Sequence, residues 1–93
     1  MTVLGRPSFE RAFRDLSQEI QAEVRSAAAL LPEAFGKPHV HAGLGVRKVG
    51  NYFEFRVGSK LRVLFVVREG DAVLVTVGHH DHIVRFVRDK PKG

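Results

Sequence analysis

The fold is decided by residues 52–86, which read YFEFRVGSKLRVLFVVREGDAVLVTVGHHDHIVRF. Three runs rich in Val, Leu and Phe are separated by the turn-forming pairs Gly58-Ser59 and Glu69-Gly70, a pattern typical of strands joined by tight turns. A further strand candidate precedes them, across a Gly50-Asn51 pair that suits a type II′ hairpin. The sequence therefore predicts an antiparallel sheet with strands at about 45–49, 52–57, 60–68 and 71–78.

The alternation of side chains predicts how these strands pair. Val57 and Leu61 both belong to the apolar face of their strands, and directly paired residues share a face, so Val57 should lie opposite Leu61. That pairing requires a three-residue loop, 58–60, with a bulge. In the next hairpin, a turn at 69–70 is expected to pair Leu61 with Gly78.

The same register brings two arginines together on the other face of the sheet. Arg56 is expected opposite Arg62, and Glu54 opposite Leu64. Like charges directly opposite in a sheet are destabilising, so this pair indicates an anion that both guanidinium groups bind. The alternative is a surface ion network in which Glu54 neutralises the two arginines.

Histidines follow the last strand, where a helix over 81–88 is expected to begin with Asp81 as its N-cap. The register predicts that His79 and His80 emerge beside Lys60 and Arg62. Histidine titrates near neutrality, and a nearby phosphate raises its pKa, so these side chains are candidates for proton transfer. The alternative is that they only cap the helix or lie on the surface.

A zinc site is another interpretation of the histidines. It would use His79, His80 and His82, with His39 and His41 as further ligands. Adjacent residues leaving a strand point apart, no familiar metal motif is present, and the surrounding arginines repel a cation. We therefore predict no metal and no cofactor.

The N-terminal half is expected to be helical after a short strand at 2–5. Ser8 is the expected N-cap of a first helix and Ser17 of a second, and each helix has one apolar face at helical spacing. Pro32 and Gly36 are expected to end the second helix. Together these segments predict an α+β fold, in which a helical hairpin packs on an antiparallel sheet of four to five strands.

The composition fits one small globular domain. The chain has 93 residues, 44% of them hydrophobic, and we expect a single domain over 1–93 with a frayed tail at 89–93. There is no cysteine, which excludes disulfides. Neither a signal peptide nor an apolar run of about 18 residues is visible, so a cytoplasmic protein without membrane contact is the default expectation.

The net charge of +5 is unevenly distributed. Residues 1–43 carry five basic and five acidic side chains, whereas residues 44–93 carry ten basic and five acidic ones. This asymmetry favours one face for a polyanion or an acidic protein. The alternative is an ordinary solvated basic surface.

The order of elements and two motifs resemble a known family. Two helices, then Y-x-E-F-R-V-G-x-x-x-R-V-L-F, then V-G-H-H-D-x-x-x-R-F resemble the RelE/ParE toxin superfamily of bacterial toxin–antitoxin modules, over roughly residues 8–88. The resemblance implies a small α+β fold with a short C-terminal helix. It also implies a cognate antitoxin that wraps the toxin with an extended helical segment. RelE-like members cleave mRNA in the ribosomal A site without metal, whereas ParE-like members poison DNA gyrase.

The resemblance also implies roles for individual residues. Arg56 matches a basic sheet position, and Arg62 matches the arginine that stabilises the transition state. His80 falls where many members have a catalytic arginine, and Phe86 falls where RelE has a tyrosine. Glu54 stands where one RelE-type enzyme has lysine. Because Phe86 lacks a hydroxyl, it can only stack on a base, and the acid–base roles pass to histidines and Glu54.

Three functions follow as hypotheses: a metal-independent endoribonuclease acting on ribosome-bound mRNA, a gyrase inhibitor, and a decayed toxin that only binds its antitoxin. In the first, Arg56 and Arg62 hold the scissile phosphate and its transition-state charge. His79 or His80 protonates the leaving oxygen, and Glu54 or the other histidine takes the 2′-OH proton. The expected RNA contacts are Arg47, Lys48, Lys60, Arg85 and Phe86, for which ordinary surface or core positions are the alternative.

Overall fold

The structure, a computed structural model, describes residues 1–35 and 44–92. Its elements in chain order are β1 (Val3–Gly5), α1 (Pro7–Arg14), α2 (Gln18–Ala34), β2 (Arg47–Val49), β3 (Tyr52–Val57), β4 (Leu61–Arg68), β5 (Asp71–Gly78) and α3 (His80–Asp89). The five strands form one sheet in the order β1-β5-β4-β3-β2. The predicted α+β class is confirmed, but the sheet is mixed, because β1 pairs with β5 in parallel. No helix among the described residues is long and apolar enough to span a membrane.

The two helices of the hairpin begin by different devices. The predicted N-cap of α1, Ser8, is wrong: Arg6 takes that position and Pro7 is the first helical residue, where a fixed φ is pre-organised for a helix. The predicted N-cap Ser17 is confirmed for α2, since the Ile20 N–H donates to its hydroxyl over 3.3 Å.

Pro32 does not end α2, as predicted, but lies inside it. A proline in the last turn removes one hydrogen bond near a terminus, and the helix continues to Ala34, with the Phe35 N–H donating to the Leu31 carbonyl over 2.9 Å. The second predicted stop, Gly36, lies outside the described residues.

The sheet separates two cores. The helical hairpin covers one face, and that core is centred on the buried Phe55, Val63 and Phe65. α3 covers part of the other face through Ile83, with buried Tyr52, Leu64, Val66 and Val75 beneath it. Side chains of β3 and β4 therefore alternate between the hairpin face and the α3 face, as the alternating pattern predicts.

The predicted register of the β3–β4 hairpin is confirmed. Val57 pairs with Leu61, Arg56 with Arg62, and Glu54 with Leu64. Val57 and Leu61 both point into the core under the helical hairpin, so their chain neighbours Arg56 and Arg62 point to the α3 face, away from the hairpin.

The predicted pairing of Leu61 with Gly78 is wrong by one residue. Gly78 pairs with Arg62, because the register shifts between Leu64 and Phe65. Leu64 pairs with Thr76 and Phe65 with Leu74, so Val75 is the extra residue of a bulge on β5. The bulge turns Thr76 to the α3 face.

A side chain from α1 holds the carbonyl group at this bulge. The Ser8 hydroxyl donates to the Val75 carbonyl over 2.6 Å, and the two residues lie 67 positions apart in the chain. The residue predicted to cap α1 therefore stabilises an irregularity in the sheet instead.

α3 begins one residue earlier than predicted, with His79 rather than Asp81 as its N-cap. Its C-terminal end is held against the β2–β3 turn. The Tyr52 hydroxyl donates to the Lys90 carbonyl over 2.5 Å, and the Asn51 side chain donates to the Pro91 carbonyl over 2.6 Å. The tail expected to fray from residue 89 is therefore anchored through Pro91.

Candidate functional site

Three arginines from three neighbouring strands converge at one end of the sheet. Arg47 pairs with Glu54 across β2 and β3, and Arg56 pairs with Arg62 across β3 and β4. These arginines, with Gly45 and Val46, line an open cleft of about 330 Å³. We call this cleft the arginine cradle. Like charges placed so close together on a sheet are destabilising unless another group compensates them.

Glu54 is the only carboxylate in ion-pair contact with the cradle arginines among the described residues. Its side chain is 3% exposed, and its Oε1 lies 2.6 Å from Nε of Arg47 and 3.8 Å from Nε of Arg62. Buried charges are paired in folded proteins because an isolated one is costly. Glu54 therefore fixes two of the three guanidinium groups.

The ion network does not neutralise the cradle. Three guanidinium groups face one carboxylate, and within residues 1–35 and 44–92 no carboxylate pairs with Arg56. Arg62 is 26% exposed on its side chain and Arg47 is 62% exposed, so both remain accessible to a ligand. The surface-network alternative accounts for Arg47 and Arg62 but leaves the charge of Arg56 uncompensated.

The histidine that contacts the α3 face of the sheet is His82, which the sequence suggested only as a metal ligand. The bulge on β5 turns Thr76 toward it. Its Nε2 lies 2.9 Å from the Thr76 hydroxyl oxygen, a hydrogen bond whose donor depends on the histidine tautomer. Its ring covers Gly78, since a β-carbon there would lie 2.5 Å from Cδ2 of His82. Gly78 is the strand partner of Arg62, so His82 borders the cradle on the β5 side.

Burial lowers the pKa of His82 below its ordinary value, and the nearby positive charge of Arg85 lowers it further. A half-buried imidazole loses hydration that would stabilise its charged form. The lowered pKa favours the neutral form of His82 near neutral pH, and a neutral imidazole can accept a proton. The signal that the sequence offered was its position one helical turn before Phe86, but only the bulge shows which way the ring points.

The other two histidines of the motif are placed differently. His79 lines a second groove, of about 360 Å³, with Leu16, Ile20 and Lys60 on the helical-hairpin side of the sheet. His80 is exposed on the first turn of α3. The structure thus brings His79 together with Lys60 in a groove on the helical-hairpin side, and neither residue lines the arginine cradle.

The predicted absence of metal stays a prediction. Within the described parts of the chain, no group of three or more His, Cys, Asp or Glu side chains is arranged to hold a metal ion. His39 and His41, the further ligands of the zinc interpretation, lie outside the described residues.

The remaining predicted RNA contacts surround the cradle unevenly. Lys48 pairs with Phe53, so it alternates to the face opposite Arg47. Arg85 is exposed on α3. Phe86 is half-buried, with its ring centroid 6.1 Å from that of Tyr52 and with Nζ of Lys90 5.0 Å from its centroid. Phe86 therefore packs α3 on the sheet and leaves only part of its ring to stack on a base.

Solved structures with this fold include bacterial and archaeal toxins. YafQ from Escherichia coli strain BL21(DE3) has a TM-score of 0.69 at 8% identity, over 87% of this chain and 94% of that one. RelE–RelB of Methanococcus jannaschii, an antitoxin–toxin complex, has a TM-score of 0.63 at 17% identity, over 89% and 96%. The RelBE2 toxin–antitoxin complex of Mycobacterium tuberculosis has a TM-score of 0.55 at 20% identity, over 85% and 96%.

No protein-family model matches the chain, and no curated protein matches it. The fold is nevertheless that of RelE-like toxins: within residues 1–35 and 44–92, three helices and a five-stranded mixed sheet match the fold of RelE and YafQ over most of their length. Several of these neighbours were solved as complexes of a toxin with its antitoxin.

Proposed function

We propose that the protein is the toxin of a type II toxin–antitoxin module and acts as a metal-independent endoribonuclease on ribosome-bound mRNA. The observation that carries the proposal is the arginine cradle, in which Arg56 has no carboxylate partner among the described residues. A phosphodiester supplies the missing negative charge, and planar guanidinium groups bind its oxygens two at a time. The RelE-like fold supports the same class of function.

In the proposed reaction, the ribose 2′-oxygen attacks the adjacent phosphorus. The bond from phosphorus to the 2′-oxygen forms as the bond to the 5′-oxygen of the next nucleotide breaks, which gives a 2′,3′-cyclic phosphate and a free 5′-hydroxyl. Arg56 and Arg62 stabilise the extra charge on the non-bridging oxygens, an electrostatic contribution that a preorganised site makes without reorganisation. No bond in this scheme requires a metal or a cofactor.

Glu54 acts on this reaction through the arginines. With 3% of its side chain exposed and Arg47 2.6 Å away, the carboxylate is shielded from a 2′-hydroxyl. Its role is to hold Arg47 and Arg62 in the orientation that the phosphate requires. This assigns Glu54 a positioning function in place of the general-base role suggested by the sequence.

His82 and His80 are the proton carriers of the proposed mechanism. The lowered pKa of His82 leaves it neutral and able to take the 2′-hydroxyl proton near neutral pH. His80, exposed at the start of α3, is the proposed donor of a proton to the departing 5′-oxygen. His79, on the opposite side of the sheet end with Lys60, is left to contact flanking RNA.

The partners of the proposed function are mRNA, the ribosome and a cognate antitoxin. The proposed RNA contacts are Arg47, Arg85 and Phe86 on the α3 side of the sheet, and Lys48 and Lys60 on the opposite side. The positive charges among them favour polyanion binding without sequence preference. An antitoxin that neutralises the protein is proposed to meet the same basic surface with acidic side chains, as a partner in the cytoplasm.

Expression in a bacterial host, followed by primer extension on total mRNA, tests the proposal. Growth arrest with new 5′ ends in translated mRNA, both lost in Arg62→Ala and both retained in Arg11→Ala on the exposed side of α1, supports the nuclease. Growth arrest with intact mRNA and accumulated cleaved DNA–gyrase complexes supports the gyrase inhibitor instead. Normal growth with undegraded mRNA identifies a decayed toxin that keeps only antitoxin binding.

A further inference from the structure

Arg56, the unpaired arginine of the cradle, rests on a glycine. Gly45 adopts φ +60°, and a β-carbon at this position would lie 2.6 Å from Nε of Arg56, 3.0 Å from Nη2 and 3.1 Å from Cζ. The 2.6 Å distance is shorter than a real β-carbon accepts, the other two are tight, and all three atoms belong to one guanidinium group. The guanidinium group of Arg56 therefore packs directly on the backbone of Gly45, in the space that any other residue would fill.

We propose that Gly45 is a positioning residue that sets the orientation of Arg56 toward a bound phosphate; this inference rests on the anion-binding role proposed for the cradle. Glu54 orients Arg47 and Arg62 by charge. Arg56 lacks such a partner among the described residues, and contact with bare backbone orients it instead.

This arrangement suits a residue that must bind an anion. A carboxylate beside Arg56 would compete with the phosphate for the same N–H groups, whereas a glycine supports the guanidinium plane and leaves its donors free. The cradle thus contains two arginines held by a charge and one held by shape alone.

The position of Gly45 is itself fixed from the core. Leu44, the preceding residue, is 5% exposed and belongs to the core beneath the helical hairpin. Arg47, two residues later, begins β2 and contacts Glu54. Gly45 therefore lies on a short segment anchored on one side by the core and on the other by the ion pair, which gives Arg56 a rigid support.

A requirement for positive φ alone does not explain the contact. Gly70 in the β4–β5 turn also has a positive φ, +82°, yet a β-carbon there would meet no atom within 4 Å. Gly70 lies at the opposite end of β4 from Arg62. The pair Gly45→Ala and Gly70→Ala therefore separates the backbone strain that both share from the displacement of Arg56, which only the first causes.

The experiment titrates inorganic phosphate and a short RNA into each purified variant and follows the Nε–H signal of Arg56 by NMR, with thermal unfolding measured in parallel. Both alanine variants are expected to lose similar stability, since the flexible guanidinium can move away from a new methyl group. Only Gly45→Ala is expected to lose affinity for phosphate, by about tenfold, because one charged hydrogen-bonding group is misplaced. In an Arg56→Ala background, Gly45→Ala should cause no further loss, since the two residues act as one unit.

Three results would overturn the inference: equal phosphate affinity in the two alanine variants, additive losses in the double variant, or no change of the Arg56 signal when phosphate is added to the wild-type protein. Failure of the nuclease proposal has a different signature. A wild-type protein whose Arg56 signal responds to phosphate, but which leaves ribosome-bound mRNA intact, refutes the nuclease while the comparison of Gly45 with Gly70 still supports the positioning role.

Discussion

Replacing Glu54 with glutamine separates a positioning role from a catalytic one. The substitution keeps the shape of the side chain but removes the charge that Arg47 contacts at 2.6 Å and Arg62 at 3.8 Å. A hydrogen bond to a charged group contributes about 1.5–3 kcal/mol to stability. Arg47 is 62% exposed, so solvent screens part of its contribution, and Arg62 lies beyond hydrogen-bond distance. We therefore expect Glu54→Gln to cost about 2 kcal/mol of unfolding free energy.

For a domain of this size, a loss of about 2 kcal/mol lowers the Tm by roughly 8–16 °C. Thermal unfolding measures this change, and Glu69→Gln, an exposed carboxylate in the β4–β5 turn, provides the control with an unchanged Tm. In parallel, RNA cleavage should weaken mainly through KM, because the arginines lose their orientation, while both limbs of the pH–rate profile remain. An unchanged Tm together with loss of the acidic limb would refute this reasoning and make Glu54 the general base.

Three further predictions concern the surroundings of the cradle. Burial lowers the pKa of His82 in the folded state, so the unfolded chain binds the proton more readily and stability falls as pH drops below about 6.5. His82→Gln should reduce this loss of stability, which is measured by urea unfolding at pH about 8 and at pH about 5.5. Tyr52→Phe removes the hydrogen bond to the Lys90 carbonyl and should cost about 1 kcal/mol, with faster amide exchange confined to the end of α3; unchanged exchange there would contradict the anchoring. Antitoxin affinity should decrease as salt increases from about 0.05 to 0.5 M. If titration calorimetry shows no change in affinity, the basic surface does not contribute to antitoxin binding.

The β3–β4 hairpin was predictable because apolar and polar side chains alternate on both strands next to the turn, from Phe53 to Val57 and from Leu61 to Val63. Phe55 and Val57 on one strand, and Leu61 and Val63 on the other, must share the buried face, so a slip of one residue would expose them all. The pairing of Arg56 with Arg62 follows directly. The most important geometric feature of the cradle was therefore contained in a local pattern.

The β5 strand was not predictable in the same way. Its run from Ala72 to Val77 is apolar on both faces except for Thr76, because α3 covers one face and the helical hairpin the other, so alternation does not specify a register. The bulge at Val75 depends on a hydroxyl from Ser8, on a different element. Since His82 meets Thr76 only after that shift, the sequence directed attention to His79 and His80 instead.

The contact between Gly45 and Arg56 could not be predicted from the sequence either. A glycine in a loop indicates a turn, but its contact with a side chain eleven positions later depends on how β2 approaches β3. Sequence alone assigns such a glycine conformational freedom, and only the folded chain shows which side chain occupies the space.

The central claim is that the arginine cradle cleaves RNA without metal, and the most direct measurement is cleavage of ribosome-bound mRNA by purified protein in EDTA. The wild-type protein is expected to leave 5′-hydroxyl and cyclic phosphate ends. Arg62→Ala should cleave at least about 10²-fold more slowly, and Arg62→Lys should recover little, because a point charge does not reproduce the planar fork. Cleavage abolished by EDTA, or retained at full rate in Arg62→Ala, would contradict metal-independent cleavage by the arginine cradle.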